Sequence, residues 1–159
     1  MKISQTHQMK VIFWISLPIL IITLGLLTFT STTNNAQDLY SLIPPTLIVF
    51  GVMYLLFSIK LQWELSETHF SFTYKPFVWK PKNIPMYEIS HLELCKINPL
   101  RDFGGWGLRY SKKYGKAYTT EGNWVLRLHL KSNKMLNFTA TKSTDLEQLL
   151  ETLSNKTLD

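Results

Sequence analysis

Four histidines, one cysteine and eleven acidic residues carry most of the reactive chemistry open to this 159-residue chain. His7, His69, His91 and His129 are far apart, and none stands with Cys95 at a spacing that closes a metal site. The nearest pair, His91 and Cys95, lies in "HLELC". On a strand the two share a face but stand roughly 13 Å apart at about 3.3 Å per residue, too far for a thiolate and its base. Cys95 therefore reads as a small core residue. As the single cysteine it also excludes an internal disulfide. Glu64 and Glu67 flank a turn, and Glu88 and Glu93 are an odd number of positions apart, which sends them to opposite faces of a strand. The expectation is a protein that is not an enzyme and that uses no metal and no cofactor.

A second group of residues clusters more tightly. "FGGWGLRYSKKYGKAY" (103–118) holds Arg109, Lys112, Lys113 and Lys116, with Arg101 just before it, and its aromatics Trp106, Tyr110, Tyr114 and Tyr118 fall four apart. That spacing suits a helix stripe, but Gly104, Gly105, Gly107 and Gly115 argue against a stable helix. A phosphate-cradling loop would need a helix directly after the glycines, and "LRYS" reads as strand. The spacing is also even, so it keeps side chains on one face of a strand. A hairpin reversing at "KYG", with Gly115 left-handed, would set Lys112 across from Lys116 and Tyr110 across from Tyr118, leaving Tyr114 at the tip. Gly104, Gly105 and Gly107, around Trp106, would permit a bulge or a close backbone approach. Arg101, Arg109, Tyr110, Lys112, Lys113, Tyr114 and Lys116 form the candidate lipid or partner surface; the bland alternative is a solvated hairpin tip. Nucleic acid is disfavoured because acidic residues dilute the basic ones.

The elements that must position these residues divide the chain in two. The formal charge is +6, yet the stretch from Val11 to Ile59 holds only Asp38. "VIFWISLPILIITLGLLTFT" (11–30) and "LIPPTLIVFGVMYLLFSI" (42–59) are uncharged and of a length that suits membrane spans. Pro44 and Pro45 would open the second span, and Pro18 would bend the first. Lys2 and Lys10 precede the pair, Lys60 follows it, and "STTNNAQDLY" between them lacks Lys and Arg. The expectation is a transmembrane hairpin over residues 1–60, integral in lipid as an anchor, with both termini cytoplasmic in a cell inner membrane.

Residues 61–159 change to period two. Leu61, Trp63 and Leu65, then Phe70, Phe72 and Tyr74, predict a hairpin turning at residues 66–68. "FVWK", "YEISHLELCKI", "WVLRLHLK" and "MLNFTAT" supply further strands. Thr144 and Glu147 read as a capping box, with Leu146, Leu149, Leu150 and Leu153 along one helical face. Short connections without intervening helices predict antiparallel pairing, in an all-β barrel or two-sheet sandwich closed by a C-terminal helix.

"FGGWGLRY", preceded by "NP" and followed by "AYTTEGNWVLRLHLKSNKMLNFTATKSTDLEQLL", resembles the bacterial pleckstrin-homology-like domains of small membrane proteins. The likeness covers residues 60–155 and implies a partly open barrel plugged by its last helix. The expected function is a membrane-anchored, non-catalytic interaction module that binds a protein partner, another copy of itself or anionic lipid headgroups. The second expectation is an accessory subunit of a larger membrane assembly, bound through its spans.

Overall fold

The computed structural model describes residues 2–9, 11–32 and 36–156. The chain forms two units, Met1–Gln8 with Ile59–Asp159, and Met9–Ser58.

Met9–Ser58 holds two helices, α1 (Val11–Thr32) and α2 (Ala36–Phe57). Hydroxyls bond back to the preceding turn, as Thr23 does to the Ile19 and Leu20 carbonyls. Trp14, Ile21, Leu24 and Phe29 on α1, and Leu47, Ile48 and Tyr54 on α2, are exposed.

The expected pair of spans is not supported. Among the described residues no helix is long and apolar enough to cross a membrane. A span needs about 20 consecutive apolar residues, or about 30 Å. α2 starts at Ala36, so it takes in the "AQDLY" expected for the link, and Pro44 and Pro45 lie inside it rather than at its start. The integral membrane location, the cytoplasmic orientation of both ends and the lipid partnership through spans rest on that hairpin, and so does the accessory subunit bound through it. Lys10 and residues 33–35, part of the orientation argument, lie outside the described residues.

The other unit is mostly sheet. β1 (Lys2–Gln8), β2 (Lys60–Ser66), β3 (His69–Lys75) and β4 (Val78–Pro85) form one antiparallel sheet in that order. A 3-10 turn (Met86–Glu88) leads into β5 (Ile89–Lys96). β5, β8 (Trp124–Leu130), β9 (Met135–Thr139), β7 (Gly115–Thr119) and β6 (Gly107–Ser111) form the second sheet in the order β5-β8-β9-β7-β6. The hairpin at residues 66–68 forms where period two places it. Three features depart from the sequence reading. The N-terminal residues are a strand on β2, β4 runs through Pro81, and β7 lies parallel to β9. Proline is tolerated in β4 because an edge strand can spare an N–H.

Leu61, Trp63, Leu65, Phe70, Phe72 and Tyr74 from the first sheet are buried with Tyr118, Leu126, Leu128 and Phe138 from the second. The Phe138 ring lies 4.8 Å from Phe70, 4.7 Å from Phe72 and 5.1 Å from Tyr118, each pair contributing about 0.5 to 1.5 kcal/mol beyond area burial. Polar tips tie the sheets together: Trp63 Nε1 donates to the Thr139 carbonyl (2.8 Å) and Tyr74 Oη to that of Thr119 (3.1 Å). α4 (Thr144–Lys156) buries Leu146, Leu149 and Leu153. Its cap is Ser143, one residue before the expected Thr144: the Ser143 hydroxyl accepts from the Leu146 amide, while Glu147 pairs with Lys142 at 3.1 Å.

Candidate functional surface

The glycine-rich segment splits into a helix stop and a hairpin. α3 (Pro99–Phe103) starts under an Asn98 cap, whose Oδ1 accepts from the Arg101 amide. It ends at Gly104, left-handed at φ 73°; the Gly104 amide donates to the Leu100 carbonyl and that of Gly105 to the Pro99 carbonyl. Gly104 is therefore a helix C-cap rather than a bulge. Gly105 and Gly107 follow, also at positive φ, and carry the chain into β6. Trp106 Nε1 is enclosed with no acceptor among the described residues.

β6 and β7 pair as Ser111↔Gly115, Tyr110↔Lys116 and Leu108↔Tyr118. The loop is Lys112, Lys113 and Tyr114, one residue earlier than the sequence reading sets it, so neither the Lys112–Lys116 nor the Tyr110–Tyr118 pairing forms. Gly115 explains the register: a Cβ there would run into the Met135 carbonyl oxygen and lie 2.9 Å from the Met135 Cβ, so only glycine passes this close to β9 at φ 72°.

The aromatics four apart do not make one stripe. Tyr118 is buried and Tyr110 stands exposed above Lys116. Tyr114 folds to the other face of the sheet, against the cluster of Ile97, Phe103, Ala117 and Val125. Its ring lies 5.8 Å from that of Phe103, with the Arg127 guanidinium 5.1 Å and the Lys113 ammonium 4.9 Å from it.

Arg109, Lys112, Lys113 and Lys116 are exposed, and among the described residues none of them has an ion-pair partner. Arg101 is set apart on α3 and pairs with Asp102 at 3.5 Å. What sequence reasoning missed is the β3–β4 turn, where Phe77 and Trp79 are exposed. Phe77 stacks on Tyr74 (6.0 Å), Tyr74 meets Tyr118 edge-on (5.5 Å), and the Lys116 ammonium lies 5.3 Å from the Tyr118 ring. These contacts link the β3–β4 turn to the β6–β7 hairpin through the core, because Tyr74 and Tyr118 are themselves buried. Phe77, Trp79 and Tyr110 are exposed, and the Lys75 ammonium lies 5.8 Å from the Trp79 ring. Burial raises the Tyr74 hydroxyl above its ordinary pKa, partly opposed by the Arg109 charge. The missed signal was "KPFVWK", two aromatics between lysines after a proline.

A polar network occupies the face where Tyr114 packs. Glu93 Oε1 accepts from Arg127 Nη1 (2.9 Å) and meets His129 Nε2 at 3.0 Å; Arg127 Nε donates to Asn137 Oδ1 (2.8 Å), and Asn137 Nδ2 donates to the Tyr114 carbonyl (2.6 Å). Burial alone would raise the Glu93 carboxyl, but hydrogen bonds from His129, Cys95 and Arg127 together hold it below the ordinary range. The Cys95 thiol is pushed up to about 11, chiefly by burial, with the Arg127 charge opposing and Glu93 adding to the rise. Cys95 is half-buried and packs against the cluster of Ile97, Phe103, Ala117 and Val125, which fits the small packing residue read from the sequence. Opposite it on β8 stands Val125, while His129 stands opposite His91.

Comparison with protein families and with characterised proteins found no match.

Proposed function

We propose that this protein is a non-catalytic interaction module whose β3–β4 turn and β6–β7 hairpin together bind an acidic surface on a partner protein. The observation that carries this reading is a set of four exposed cations on the β6–β7 hairpin, without an ion-pair partner among the described residues, together with exposed Tyr110 on the same hairpin and exposed Phe77 and Trp79 on the β3–β4 turn. Aromatic anchors next to basic groups are the composition of binding hot spots, and unpaired lysines speed encounter with an acidic partner. The likeness of the glycine-rich hairpin to bacterial pleckstrin-homology-like domains supports a binding role.

The test sets the full chain against Lys112→Glu/Lys113→Glu/Lys116→Glu on immobilised polyglutamate and on phosphatidylglycerol vesicles, at low and high salt. The expected result is salt-sensitive retention of the native chain on polyglutamate, reduced at least tenfold in the variant. Equal retention of the two chains would reject the hairpin as the binding surface. Variant-sensitive retention on vesicles alone would reject the protein partner in favour of lipid headgroups.

A further inference from the structure

The first sheet ends on one side at β4 and on the other at β1, and the two edges differ. β4 carries Pro81 and Pro85, which lack an N–H, Lys80 and Lys82, and a register irregularity opposite Phe72 and Tyr74. These are the standard means by which an edge is kept from pairing. β1 has only Lys2 of that kind, at its end and paired with Glu64. It runs seven residues in unbroken register with β2, from Lys2↔Ser66 to Gln8↔Lys60, without proline, glycine or bulge, and Lys2 is its sole Lys, Arg, Asp or Glu.

The edge is also held straight. Lys2 pairs with Glu64 on β2 at 3.0 Å. The Gln5 amide makes two bonds with the Thr141 backbone, donating to its carbonyl (2.9 Å) and accepting from its N–H (2.7 Å). In an antiparallel pair, alternate residues turn their N–H and C=O away from the neighbour, so β1 offers a row of such groups in a fixed extended geometry. Lys2, Ser4, Thr6 and Gln8 are exposed.

We propose that β1 pairs with β1 of a second copy of this chain, antiparallel about a two-fold axis at Gln5, joining two four-stranded sheets into one. The sequence is self-complementary in this register. Gln5 meets Gln5, Ser4 meets Thr6, Ile3 meets His7, and Lys2 meets Gln8, so all seven positions are used and no like charges stand opposite one another. The two-fold makes the contact self-closing, which ends assembly at this edge with a dimer.

The test exploits the register. In a Cys95→Ala background, full-length chains carrying Ser4→Cys and chains carrying Thr6→Cys are produced separately and co-expressed, then oxidised and separated without reductant. Ser4 of one copy faces Thr6 of the other, whereas Ser4 and Ser4 are displaced by two residues and exceed the roughly 7 Å Cα separation that a disulfide tolerates. The co-expressed pair is expected to cross-link at least tenfold more than either chain alone, and light scattering of the native chain should give a dimer. A monomer, or cross-linking that is equal in all three samples, would overturn the proposal. Association without the register-specific product would do the same, by placing the contact on another surface.

Discussion

At the scale of the residue, Glu93 does more than alternation suggests. One oxygen of its carboxylate serves both Arg127 and His129. Its folded pKa lies below the ordinary carboxyl value of about 4.3, so its contribution to stability is complete above that value and is lost as pH falls through the lower, folded pKa. Glu93→Gln should therefore be less stable than the native chain at pH 7, and the gap should close as denaturation is repeated towards pH 3. A gap independent of pH would show that the carboxylate charge adds nothing. The sequence does place Arg127 and His129 on the face opposite Leu126, Leu128 and Leu130. What it omits is the pairing of β5 with β8, which sets Glu93 across from Arg127 and His91 across from His129.

At the scale of the element, glycines decide where the chain turns. Gly104 ends α3, and Gly115 sets the β6–β7 loop because Met135 on β9 leaves no room for a Cβ. Gly115→Ala should cost about 2 to 4 kcal/mol, from the strained left-handed backbone and from the displacement of β9, as read by urea denaturation. A loss below about 1 kcal/mol would mean that the hairpin can shift to the register in which Lys112 faces Lys116. Period two located β2, β3, β8 and β9 because each has one face on the core. It was silent on β1, whose "KISQTHQ" carries one large aliphatic side chain, and it did not extend "FVWK" through Pro81 into β4. Strands of that kind are made by their neighbours, with backbone hydrogen bonds supplying what apolar burial does not.

At the scale of the whole molecule, β1 is separated from β2 in sequence by both helices, yet pairs with it along its full length. Closing so long an interval is entropically costly, and the Gln5 clamp on Thr141 helps to offset it. Gln5→Ala removes two hydrogen bonds and should destabilise the fold by about 1 to 2 kcal/mol, with faster hydrogen exchange in β1 amides than in β8. Unchanged β1 protection would show that pairing with β2 alone holds the strand. The helical unit exposes Trp14, Phe29, Leu47 and Tyr54, so its apolar composition is not consumed in packing one helix against the other.

By itself the sequence determined the alternation that buries one face of each central strand, the leucine face of α4 and the concentration of positive charge around residues 109–116. Each is a local property, fixed by side-chain types at period two or near 3.6. Only the tertiary structure decided that Phe77 stacks on the buried Tyr74 ring, which meets Tyr118 edge-on, that Tyr114 turns to the opposite face from Tyr110, and that β7 runs parallel to β9. Those relations join residues distant along the chain, and they are set by which strands become neighbours, a choice made by the shared aromatic core around Phe138 rather than by any one segment.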